Sequence, residues 1–180
     1  MVWISFTSRF KIQLLMNAMK FSIILLVTII TAGTVYGQRS LPDVDVRTLE
    51  GQSKNIQAHA ENGKITFITF WATWCVPCRR ELEAISDLYE DWKAEFDMEV
   101  VAISIDDTRG LARVRPMVEQ NGWDFIVYTD TNQILKQALN FQTIPQSFLL
   151  DSKGNIIYSH SGYVPGDEYE IEDKMRELIK

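Results

Sequence analysis

Two cysteines stand three positions apart in Cys75-Val76-Pro77-Cys78, and the 180-residue chain has no others. A single pair supplies no disulfide framework, so its spacing has to be read as chemistry. Two intervening residues let the second thiol reach the first within one turn and close a disulfide. The pair follows an apolar run and precedes a segment of helical periodicity, which places it where a strand ends and a helix begins. Unpaired N–H groups and the helix dipole at that point favour a thiolate, so the acidity of Cys75 should be raised. Pro77 suits a first helical turn, where its missing N–H had no partner. Arg79 and Arg80 add positive charge nearby and are expected to be solvated.

The elements that must hold this pair can be traced along the chain. Ile65 to Trp71 (ITFITFW) is apolar and rich in β-branched and aromatic residues, which predicts a strand buried on both faces. Leu82, Ile85, Tyr89, Trp92 and Phe96 recur at helical spacing after the cysteines, and Glu83, Asp87, Glu90 and Asp91 fall on other faces. Val100 to Ile105 and Phe125 to Tyr128 read as further strands. Between them a helix is expected from about Arg109 to Asn121, either kinked by Pro116 or shortened to begin near it. Asp130 and Gln133 predict an N-cap pair for a helix running to Leu139. Ser147 to Leu150, a turn at 151–154 and Ile156 to Ser159 form a hairpin. A final helix sets Ile171, Met175, Leu178 and Ile179 on one stripe, and residues 41–56 read as short strands around a Gly51 turn. Alternating strands and helices with a closing hairpin predict an α/β class with a mixed sheet.

Composition agrees with a folded domain: 46% hydrophobic and 23% charged residues exclude a disordered, collagen-like or repeat chain. The formal charge of -6, with no basic run, excludes the usual nucleic-acid footprint. No acidic residue precedes Asp43, and Phe21 to Ala32 is an apolar run followed by Val35-Tyr36-Gly37, with small residues at -3 and -1 of a cut before Gln38. Residues 1–37 therefore read first as a secretory signal peptide, with an uncleaved N-terminal membrane anchor as the rival, and 38–180 as the working domain. Met19-Lys20 and the apolar run would make a compact leader by themselves, so Met1, Met16 and Met19 are all candidate starts. Residues 38–180 keep 15 basic and 24 acidic residues, a clearly acidic body.

The segment from Phe70 to Leu82 (FWATWCVPCRREL) resembles the active-site segment of thioredoxin-fold proteins of the TlpA/ResA type. These are exported thiol–disulfide oxidoreductases that include the cytochrome c maturation thioredoxins. Thr143-Ile144-Pro145 is similar to the second signature of that fold, and the resemblance runs from about Leu41 to Lys180. It implies a thioredoxin fold with the extra strand-helix insertion of that group. It also implies a cis Pro145 facing the dithiol, with the Ile144 backbone left free to pair with a substrate strand. Cys75 would be the exposed nucleophile and Cys78 the more buried resolving thiol. Plain thioredoxins carry a buried aspartate six residues before the first cysteine, where this chain has Thr69. Glu81, three residues after Cys78, matches a glutamate of the TlpA/ResA type, which implies a proton relay for Cys78; the plain alternative is a surface glutamate. Trp74, Val76, Pro77, Thr143 and Ile144 would line the substrate surface, and Trp71 would be core.

The implied activity is exchange with cysteines or disulfides of partner proteins, most naturally as a reductant in an extracytoplasmic, periplasmic space. Such a protein needs a membrane electron donor as second partner, works as a monomer and requires no cofactor beyond its own dithiol. Rival chemistries are weaker. A structural disulfide over so short a loop would stabilise little. Zinc needs about four ligands, and His59 and His160 are distant in sequence. A thioredoxin-fold copper chaperone could use the cysteines with His160, although such proteins space the cysteines differently. A thiol peroxidase would want proline and threonine where Ile68 and Ala72 stand. His160 is expected on the exposed face of the hairpin and His59 in a loop.

Overall fold

The β-branched and aromatic residues of Ile65–Trp71, threonines included, form a strand in which all seven residues are buried, as a strand between two layers requires. The computed structural model describes residues 39–180. The reading of residues 1–37 as leader or anchor lies outside the described residues. Among the described residues no helix is long and apolar enough to cross a membrane.

In chain order the elements are β1 (Asp45–Thr48), β2 (Ser53–Asn55), α1 (Ile56–Ala60), β3 (Ile65–Trp71), α2 (Val76–Phe96), β4 (Met98–Ser104), a short 3-10 turn (Leu111–Arg113), α3 (Val114–Asn121), β5 (Ile126–Thr129), α4 (Ile134–Leu139), β6 (Gln146–Leu150), β7 (Ile156–Ser161) and α5 (Asp167–Leu178). The seven strands form one sheet in the order β2-β1-β5-β4-β3-β6-β7. β3, β4 and β5 are parallel; β6 pairs antiparallel with β3, and β7 turns back antiparallel to β6. This is a thioredoxin fold: a mixed sheet flanked by helices, with the α3–β5 block as the expected insertion.

Two apolar clusters hold the layers. Ile85, Tyr89, Trp92 and Phe96 of α2 pack with Ile171 and Met175 of α5 against Phe67 and Leu149. Ile68, Phe70, Val114, Leu135, Leu139 and Phe148 belong to the second cluster, which also takes in both cysteines. Between β1 and β2, Gly51 has φ +85, a conformation that glycine adopts without Cβ strain.

Of the two forms expected after Arg109, the shorter helix is the one adopted: a 3-10 turn precedes α3, and Pro116 sits in the first turn of α3, where no N–H is needed. Other expectations are corrected. Asp130 does cap α4, but alone: its carboxylate accepts the N–H groups of Ile134 and Lys136, both at 2.9 Å, while Gln133 takes a left-handed φ of 54 and caps nothing with its side chain. Ile179 falls beyond the end of α5 and is exposed. His59 is helical, in α1, and its Nε2 lies 3.0 Å from the Glu99 carboxylate. His160 is half-buried rather than on an open face, because Asp167 of α5 closes on its Nε2 at 3.0 Å.

Candidate active site

Cys75 is the N-cap residue of α2, and its extended backbone turns the chain from β3 into the helix. Cys75 and Cys78 are joined in a disulfide with Cα atoms 5.3 Å apart. The N–H of Cys78 donates to the Cys75 sulfur at 3.3 Å, so an orphan helical N–H points at the atom that would carry the thiolate charge. The N–H of Cys75 closes a turn on the Ala72 carbonyl at 3.0 Å.

The Ile144–Pro145 peptide is cis. It enters β6, which pairs antiparallel with β3 so that Gln146 faces Phe70, and this brings the proline loop to the end of β3 where the dithiol sits. The Cys75 sulfur lies 3.9 Å from the Ile144 carbonyl oxygen. Cys75 is only 4% exposed and Cys78 not at all, which corrects the expectation of an open nucleophile. With both sulfurs bonded and the Ile144 carbonyl against one of them, little of either reaches solvent. Around the site Trp74 is 63% exposed, and Val76, Pro77 and Thr143 are also at the surface. Ile144 is half-buried, Trp71 is buried, and Arg79 and Arg80 are solvated.

Glu81 is not a surface residue: it is 1% exposed, on the same helix as Cys78 and one turn further along. Thr69 of β3 donates to one carboxylate oxygen at 2.6 Å, and Ser147 of β6 donates to the other at 2.7 Å. Burial pushes its carboxyl up to about 7, against the downward pull of those two hydrogen bonds and of His160. A carboxyl poised there can take or give a proton near neutrality. Thr69 thus orients the acid rather than replacing it.

Sequence reasoning missed Ser147 in this cluster. It also missed Asp106, a buried acid whose Oδ2 accepts the N–H of Thr73 at 2.8 Å. The available signal was a polar residue inside or just beyond a strand that is otherwise apolar. Among the described residues no cluster of three or more His, Cys, Asp or Glu side chains could hold a metal ion. His160 is engaged by Asp167 and by the Tyr158 hydroxyl.

A disulfide capping a helix and facing a cis-proline, on this sheet, defines the class: thioredoxin-fold proteins of the thiol–disulfide oxidoreductase kind. The chain belongs to the Redoxin family, whose model matches residues 37–175. It is 34% identical over 119 residues to a thiol-disulfide oxidoreductase ResA of Bacillus thuringiensis (strain Al Hakam), a match covering 66% of each chain. It is 31% identical over 132 residues to the ResA of Bacillus thuringiensis subsp. konkukian (strain 97-27), covering 73% of each. The solution structure of an uncharacterized thioredoxin-like protein from Porphyromonas gingivalis is similar with a TM-score of 0.70 and 40% identity, covering 77% of this chain and 90% of that one.

Proposed function

We propose that the protein is an exported thiol–disulfide oxidoreductase that reduces disulfides in partner proteins. Cys75 attacks a substrate disulfide as a thiolate; one substrate sulfur leaves and a mixed disulfide forms at Cys75. Cys78 then attacks the Cys75 sulfur, the second substrate sulfur leaves as a thiol, and the protein ends as the Cys75–Cys78 disulfide. Glu81 accepts the Cys78 proton during that second attack. Trp74, Val76, Pro77, Thr143 and Ile144 form the surface on which the substrate lies, with Pro145 shaping it. The monomer needs no cofactor and is recharged by a membrane electron carrier. Its substrates are exported cysteine proteins, apocytochrome c among the candidates.

The observation that carries this reading is the disulfide at the N-terminus of α2 facing cis Pro145. The similarity to ResA proteins supports the direction. Equilibrating the full-length protein with glutathione or dithiol buffers and counting free thiols tests it. A potential near or below about -250 mV fits a reductant, and one near about -120 mV reverses the direction of electron flow. A pair that does not cycle would return attention to copper binding.

A further inference from the structure

Asp106 is a buried acid that the exchange chemistry does not use. It follows β4, is 1% exposed, and makes no ion pair among the described residues. A carboxylate in that setting is costly unless donors are aimed at it, and here they are. Its Oδ2 accepts the Thr73 N–H at 2.8 Å and the Ser104 hydroxyl at 2.9 Å; its Oδ1 accepts the Thr73 hydroxyl at 2.7 Å. Two of the three donors belong to one residue of the Ala72–Cys75 turn. That turn leaves the sheet just after the last rung to the neighbouring strand, where the Ile105 N–H meets the Trp71 carbonyl at 2.9 Å. Asp106 therefore carries the tie from β4 past the end of the sheet to the residues that precede the nucleophile.

The other side of the carboxylate is closed by Gly110. A Cβ at that position would lie 2.5 Å from Asp106 Oδ1 and 3.0 Å from Asp106 Cβ. The Gly110 backbone is ordinary, with φ -80, so the glycine is required by the carboxylate and not by its own torsion. Gly110 is also fixed, since Asp107 accepts its N–H through both backbone and side chain. Gly110, Asp106 and Thr73 form a stack whose free end is the active-site turn.

We propose that Asp106, backed by Gly110, is a positioning residue that fixes through Thr73 the turn presenting Cys75 to an incoming disulfide. The inference rests on the exchange reading above. It gives the segment between β4 and α3 a part in the site: the loop that opens the inserted strand-helix block sets the aim of the thiolate.

The test uses full-length reduced protein. The rate of Cys75 with iodoacetamide and with oxidised glutathione is measured at one pH, alongside the disulfide equilibrium constant and thermal melting. Thr73→Val removes the hydroxyl donor at constant shape. Gly110→Ala displaces the carboxylate from behind and removes no hydrogen-bonding group. Both should slow Cys75 about tenfold and shift the disulfide equilibrium, because small displacements of a reacting group carry large rate penalties. Thr73→Ser, which keeps the hydroxyl, should rescue the rate to within about twofold of the parent. If Thr73→Val does not fold, Gly110→Ala and Asp106→Asn carry the same readouts. The proposal is overturned if melting temperatures fall while rates and equilibrium stay at parental values, or if Thr73→Ser is as slow as Thr73→Val. Failure of the parent protein to exchange with glutathione would instead overturn the exchange reading itself.

Discussion

Ser147 and Glu81 meet at 2.7 Å in a site closed to solvent, joining the strand that follows cis Pro145 to the helix that carries both cysteines. Glu81 lies three residues after Cys78 and Ser147 two after Pro145, so a change at either signature is felt at the same carboxyl. Thr69 completes the contact from β3, donating to Glu81 at 2.6 Å with its hydroxyl oxygen 3.2 Å from that of Ser147. The acid is held by neutral hydroxyls and has no cationic partner in contact among the described residues, one helical turn beyond Cys78 on α2.

Glu81 should therefore give stability a particular pH dependence. Its folded value, about 7, lies above the ordinary 4.5, so between those pH values the folded chain holds a proton that the unfolded chain has lost. Stability falls as pH rises through this window and levels off above it, by at most about 3 kcal/mol. Glu81→Gln should flatten that slope in denaturant titrations of the oxidised protein. In the reduced protein the same substitution should alter the pH profile of Cys78 alkylation. An unchanged profile would remove Glu81 from the proton path.

Cys75→Ser should abolish exchange with a protein disulfide, and Cys78→Ser should accumulate a mixed disulfide at Cys75 that a non-reducing gel resolves. Trapping at Cys78 in Cys75→Ser, with equal yield, would mean that the order of attack is reversed.

Trp74 presents a large apolar ring to solvent at the rim of the site, 63% exposed. Trp74→Ala should leave stability within about 0.5 kcal/mol while raising KM for a protein substrate several-fold. Reaction with glutathione, which is too small to span the rim, should change little. A matching loss with both substrates would place the tryptophan's effect on the thiol instead of on docking.

Asp130 accepts two N–H groups at the start of α4. Asp130→Ala should cost about 1–2 kcal/mol in chemical denaturation, because two part-buried N–H groups lose the carboxylate that accepts them. Thiol reactivity should be retained.

Much of the architecture was legible because burial writes itself into composition. ITFITFW could only be a strand covered on both faces, and the spacing of Leu82, Ile85, Tyr89, Trp92 and Phe96 fixed the face that α2 buries. The dithiol was legible because its chemistry is local to a few residues, and Ile144-Pro145 through its resemblance to a family signature. What stayed hidden depends on partners distant in sequence. Nothing near Ser147 announces that its hydroxyl meets Glu81, and nothing near Asp106 announces Thr73, 33 residues earlier. His59 looked like a loop residue because α1 spans only five residues and is held in place by Glu99 and Tyr128. At Asp130 the capping box failed because Gln133 adopts a left-handed backbone, a local choice made by the turn and not by the pattern.

The disulfide joins residues only three positions apart. A cross-link that short removes almost none of the disorder of the unfolded chain, so oxidation acts nearly wholly on the folded state. Melting and redox exchange then form a closed thermodynamic cycle, in which the difference in folding free energy between oxidised and reduced protein equals the difference in disulfide strength between folded and unfolded chains. A reductant on this scaffold must unfold at the higher temperature when oxidised, and a donor of disulfides when reduced. Two melting curves, with and without dithiothreitol, read out the direction in which electrons leave Cys75 and Cys78.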